Sequence, residues 1–147
     1  MKIIIPDYSN CLVNLNQSIR KYYNLKTYHN TLESADMFLK DKNYENVVLI
    51  LFDGMGSKII DKTLPKSSLL KSKKVSDFLS VFPSTTVAAT TSLRSSKTPI
   101  ETGWLGWHQY FEKYDLDLIT FRGEGYYKKD VKLIPNPSYI VLYSKSI

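Results

Sequence analysis

The chain has 147 residues, twenty basic and fourteen acidic side chains, a formal charge of +6, and 43% apolar against 23% charged residues. Those proportions belong to an ordinary globular domain, which at this length buries about two-thirds of the surface its unfolded chain exposes, and they exclude disordered and fibrous classes. The lysines are scattered except at Lys71, Lys73 and Lys74, so the charge predicts no nucleic-acid track and favours an anionic small-molecule partner.

A single cysteine, Cys11, excludes an intramolecular disulfide and a cysteine-based zinc cluster, and fits a reducing compartment. The opening MKIIIPDYSN is interrupted by Pro6 and Asp7 and has no signal-peptide core. No run approaches the ~18 apolar residues of a membrane span, so the expectation is a cytoplasmic chain without a membrane partner. Residues 1–147 read as one domain.

In chain order, SNCLVNLNQSIRKYY (9–23) places Cys11, Leu12, Leu15, Ile19 and Tyr22 or Tyr23 near helical spacing behind a Ser9/Asn10 cap. A second helix is predicted over Thr31 to Leu39. NVVLILFD (46–53) holds six consecutive apolar residues, the pattern of a strand covered on both faces in a parallel sheet. It ends at Asp53, and Gly54 and Gly56 permit a tight turn into a helix that stops before Pro65. A short helix is expected over 67–72, a strand over Asp77 to Phe82, and a helix from Thr86 to Leu93. Strand, turn and helix thus recur. The rhythm predicts a three-layer α/β fold with a largely parallel sheet flanked by helices. Further strands are expected over DLDLITF (115–121) and, after Pro135 and Pro137, over SYIVLYS (138–144). The last strand lies so near Ile147, with no helix after it, that the fold reads as cut short.

In such sheets ligands sit outside the carboxyl ends of the strands, where Asp53 and the Ser84, Thr85, Thr86 turn both fall. Asp53 is either a metal or phosphate-site ligand or a cap for the next helix. The helix start after Pro83 offers free N–H groups and the positive end of a dipole, a seat for phosphate; alternatively Ser84 or Thr85 is only an N-cap. Thr86 would hold its hydroxyl against that seat, and a hydroxyl needs a base or a metal to become a nucleophile. A dinucleotide fingerprint would need a third glycine where Ile59 stands, and no Walker-type phosphate loop is present.

NVVLILFDGMGSKII and VFPSTTVAATTSLRSSKTPIETGWLGW together resemble the type I phosphodiesterase/nucleotide pyrophosphatase family of the alkaline phosphatase superfamily, and the opening IIIPDYSNCLVNLNQSI looks like the first segment of bacterial members. The resemblance implies the N-terminal half of an alkaline-phosphatase-like domain and a hydrolase of phosphodiester or pyrophosphate bonds with two divalent metal ions, commonly zinc. It implies Asp53 as a metal ligand and Thr86 as the nucleophile that also ligates a metal, with Thr85 the neighbour one register away and Ser84 beside the phosphate. Family members continue with Thr-Gly where Ser95 and Ser96 stand, and with His-Gly where Thr102 and Gly103 stand. Eukaryotic members have an Asn near Trp107, and an aromatic often stands at Val87.

The family's remaining Asp and His ligands lie beyond the equivalent of Ile147, and His29 and His108 are the only histidines here. The expectation is therefore an incomplete site with little activity from this chain alone. Trp104, Trp107 and Tyr110 read as core or interface residues and stay outside the predicted site. Two other readings remain open: a non-catalytic phosphate-binding remnant, and a superfamily relative such as a phosphoglycerate mutase or a sulfatase, with Ser84 as nucleophile in the mutase case. An unpaired sheet edge would favour self-association.

Overall fold

Helix α1 (Leu12–Tyr22) starts one residue after Cys11, whose amide donates to Asn14 Oδ1 at 2.9 Å. Ser9, expected to share the cap, instead donates its amide and hydroxyl to Asp7 Oδ1 at 2.9 and 2.8 Å, because a carboxylate two residues away closes a tighter ring. The computed structural model describes residues 5–127 and 140–144.

The buried side of α1 is more polar than its apolar spacing suggests. Leu12, Val13 and Ile19 are joined there by Asn14, Asn16, Gln17 and Ser18, and each of those polar groups has a backbone partner. Asn14 Nδ2 donates to the Asn30 carbonyl at 2.8 Å; the Ser18 hydroxyl donates to the Leu32 carbonyl at 3.1 Å and accepts the Leu32 amide at 2.9 Å. Together they tie α1 to the segment leading into α2 (Glu33–Leu39). Asn16 Nδ2 donates to the Leu93 carbonyl, and Gln17 Nε2 to the Ser96 carbonyl at 2.7 Å. These acceptors lie at the end of α5 (Thr86–Ser95), where a helix leaves its last carbonyls without internal partners. The two side chains complete that terminus.

Ser96, the residue that ends α5, sits in the left-handed region at φ 63°, and its buried hydroxyl has no partner among the described residues. Ser96→Gly relieves both the backbone strain and the unpaired hydroxyl, against a gain in unfolded-chain entropy. The expected result is a net stabilisation of about 1 kcal/mol, read as a rise in the denaturant midpoint without a change in slope.

Strand β1 (Asn46–Ile50) leads to Asp53, and α3 (Ser57–Thr63) and α4 (Leu69–Ser72) follow. Gly54, at φ 67°, is the glycine this turn requires; Gly56, at φ −79°, adopts a conformation open to any residue. Beyond α5 lies α6 (Pro99–Thr102), then the antiparallel sheet of β2 (His108–Phe111), β3 (Leu116–Ile119) and β4 (Glu124–Gly125). The final described strand, β5 (Ile140–Ser144), pairs antiparallel with β1 in the register Val48 to Leu142. The turn expected at Pro135 and Pro137 lies outside the described residues.

The fold is mixed α/β, but its described ladders are antiparallel, which corrects the expected largely parallel sheet. The strand expected over Asp77 to Phe82 makes only a single parallel bridge, Leu79 with Cys11. Residues 10–12 turn into α1 at once, leaving no length for a ladder. Nor is β1 covered on both faces. Leu49 and Leu51 pack against the core of Cys11, Leu12, Val13, Val81, Ala88 and Leu93, whereas Val48 and Ile50 are 57% and 58% exposed. An unbroken apolar run is read as two-sided burial, yet here helices cover only one side.

Candidate functional site

Pro83 ends the extended segment, and Thr85, itself extended at φ −83° and ψ 154°, caps α5. The Thr85 hydroxyl accepts the Ala88 amide at 3.2 Å and donates to the Leu105 carbonyl at 2.9 Å, so both its capacities are used locally. Thr86 occupies the first helical position. Its hydroxyl points across the sheet edge and donates to Asp53 Oδ2 at 3.2 Å, joining two residues 33 apart in sequence. Asp53 does not cap the next helix, which begins behind Gly56. The neighbouring threonines are thereby separated by geometry: one closes the helix, the other faces the carboxylate.

Both groups lie on the wall of a cavity of about 560 Å³, with Ser84 and Gly54 beside them. Asp53 is the only ionisable side chain among its described lining residues. The first N–H groups of α5 have no intrahelical acceptor, and they with the helix dipole are the positive element at this end of the cavity. Leu12, Leu15 and Leu93 belong to its apolar lining. This wall was not legible in sequence, because it is shared by β1, α1, α5 and residues 76–80.

The histidines lie elsewhere. His108 Nε2 is 3.1 Å from Asp117 Oδ1, and its ring centre is 4.5 Å from that of Tyr126, on the β2–β3–β4 sheet. His29 Nε2 is 2.8 Å from Glu101 Oε2. Trp107 stacks on Phe121 at 4.2 Å and Trp104 approaches Phe111 at 6.3 Å, which places both in the packing of that sheet. Among the described residues no group of three or more His, Cys, Asp or Glu is placed to hold a metal ion. Asp53 and Thr86 offer two oxygen donors, fewer than the four ligands of a tetrahedral zinc. The described residues therefore do not make up the two-metal centre that the resemblance implies.

α6 packs against α5, and its start was readable as Thr98-Pro99-Ile100-Glu101, a capping box with proline at the first position. Glu101 Oε2 accepts the Thr98 hydroxyl and the Thr98 amide, the latter at 2.7 Å. These bonds, with His29 nearby, hold its carboxyl below the ordinary glutamate value. A carboxyl lowered in this way contributes stability that is complete above the ordinary glutamate value of 4.5 and is lost as pH falls through the lower folded value. Glu101→Gln should thus leave less acid destabilisation below about pH 4, measured as the pH dependence of the denaturant midpoint.

Compared with protein-family models, curated proteins and solved structures, the chain matches none of them. Among the described residues no helix is long and apolar enough to cross a membrane.

Proposed function

We propose that this chain carries the nucleophile end of a phosphodiester or pyrophosphate hydrolase, with an alkaline-phosphatase-like arrangement of the elements around Asp53 and Thr86. The observation that carries the reading is the hydrogen bond from Thr86 Oγ1 to Asp53 Oδ2 at the start of α5. Thr86 Oγ1 attacks phosphorus, its proton passes to Asp53, and the ester oxygen leaves with the bonding electrons. The α5 amides stabilise the charge that grows on the phosphoryl oxygens. Water then cleaves the threonyl phosphodiester, which still carries the substrate's second ester group: the water's hydroxide joins phosphorus and its other proton restores the Thr86 hydroxyl. The resemblance adds two divalent ions, commonly zinc. The described residues supply only part of their ligands, and none of these steps is assigned to a metal.

The test is hydrolysis of bis(p-nitrophenyl) phosphate with and without added zinc, combined with mass spectrometry of Thr86. Turnover with a p-nitrophenyl phosphate adduct on Thr86 supports the reading. Its absence in both metal conditions rejects catalysis by this chain.

A second reading, a phosphate-binding remnant that keeps the helix end without the chemistry, fits the Asp53 and Thr86 oxygens and the start of α5 among the described residues. It requires zinc-independent, salt-sensitive phosphate binding that shifts the amide resonances of Thr86 and Val87. Calorimetry showing one or more equivalents of zinc bound argues against it.

A further inference from the structure

Three cations gather over one half-exposed ring. Arg20 Cζ, Lys26 Nζ and Lys97 Nζ lie 5.2, 5.5 and 5.9 Å from the ring centre of Tyr28. They come from the last turn of α1, the loop after it, and the turn that follows α5. Gln17 fixes that convergence: its buried side chain accepts the Tyr28 amide at 2.9 Å and donates to the Ser96 carbonyl at 2.7 Å. Arg20 Nε donates to the Lys26 carbonyl at 2.7 Å, which clips the loop to α1, and its Nη groups have no acceptor among the described residues. Cations have a structural use here, because α1 and α5 both end at this place and helix C-termini attract positive charge. That use does not account for all of the charge. Two helix ends carry about half a negative charge each, against three whole positive charges. None of the three cations forms an ion pair among the described residues, and Glu101, the next acid after Lys97, is taken up by Thr98 and His29. A ring has two faces, so at least two of the cations share one, and attraction to an exposed ring offsets their repulsion only in part. The surplus positive charge lacks a counter-ion.

We propose that Arg20, Lys26 and Lys97 form a binding site for a compact polyphosphate group, separate from the cavity at Asp53 and Thr86. Phosphate oxygens suit the donor set, since the guanidinium offers a planar fork of N–H groups and each ammonium three donors that turn freely. One phosphate cannot meet three cations spread around a ring, whereas two or three linked phosphates reach them together. The Tyr28 ring already holds cations, so the ligand is read by charge and not by stacking of a base. A nucleic-acid strand would need basic residues in a continuing track, which the scattered lysines do not supply. None of the three cations lines the cavity at Asp53. Lys97 follows the end of α5 and Thr86 opens it, so about 15 Å of helix separates the two places. The inference is independent of any chemistry at Thr86.

The probe is inorganic tripolyphosphate, titrated into the full chain in metal-free buffer, and the readout is the amide resonances. Saturable shifts at Lys26, Tyr28 and Lys97 are the expected result, with affinity falling about tenfold or more between roughly 50 and 300 mM salt. Lys26→Gln combined with Lys97→Gln should weaken binding about tenfold. Lys66→Gln combined with Lys73→Gln takes the same charge from exposed positions elsewhere and should change binding by less than about twofold. Equal losses in the two double variants overturn the proposal, because net charge and not a site would then govern binding. Should the first double variant misfold, the salt titration of the native protein decides, and binding that salt does not weaken overturns the proposal. So does an absence of binding, or shifts at Thr86 and Val87 alone, which would place the anion at the start of α5. A hexaglutamate peptide that shifts the same resonances at lower concentration than tripolyphosphate also overturns it, and assigns the patch to an acidic protein segment.

Discussion

On the proposed phosphoryl-transfer reading, Thr86→Ala is expected to lower phosphodiester turnover by ~1,000-fold or more and to leave the denaturant midpoint nearly unchanged. The reason is position. Thr86 stands at the first helical residue, where alanine is well tolerated, and its hydroxyl makes no cap; its recorded acceptor is Asp53 Oδ2. Thr85→Ala is expected to do the reverse. Its hydroxyl holds the Ala88 amide and reaches the Leu105 carbonyl, so its loss costs about 1 kcal/mol of stability and changes turnover only through the altered helix start. Parallel melts and p-nitrophenolate release measure both quantities. Equal loss of activity in the two variants, each tracking its own instability, would assign the threonines to structure alone. Asp53→Asn separates the roles further, since an amide oxygen still accepts the Thr86 hydrogen bond but cannot take the proton at neutral pH.

Gln17→Ala is the substitution with the largest expected effect on folding. Gln17 is fully buried, donates to the Ser96 carbonyl at 2.7 Å and accepts the Tyr28 amide at 2.9 Å. Alanine strands the carbonyl at the end of α5 and leaves a void where the amide packed, a loss of about 3 kcal/mol. That is a large part of the stability of an ordinary domain, and urea titration should show a markedly lower midpoint. Leucine at the same position fills the void but not the hydrogen bonds. A leucine variant as stable as the parent would mean that shape, not pairing, sets the cost.

α1 also shows where sequence reasoning stopped. The apolar spacing of Cys11, Leu12, Leu15 and Ile19 was enough to predict a helix, and the helix forms over Leu12–Tyr22. That Asn14, Asn16, Gln17 and Ser18 are buried could not be read from the same spacing, because their partners are backbone groups 14 to 79 residues away. β1 illustrates the converse. Its apolar run was legible as a strand, but the run cannot report that only one face is covered, nor that its described partner lies antiparallel in Ile140–Ser144.

Asp53 and Thr86 were marked in sequence by residue type and by their places at the end of an apolar strand and the start of a helix. Local patterning determined that much: element type, the turn at Gly54, and a helix beginning after Pro83. Only the tertiary structure decided that Thr86, and not Thr85, turns its hydroxyl to Asp53, since one residue of helical register rotates a side chain by about 100°. It also decided that His108 pairs with Asp117 and that β1, α1, α5 and residues 76–80 share the lining of one cavity. Periodicity reports what a segment can become. Which surfaces and edges then meet depends on contacts between distant segments, and no local pattern encodes them.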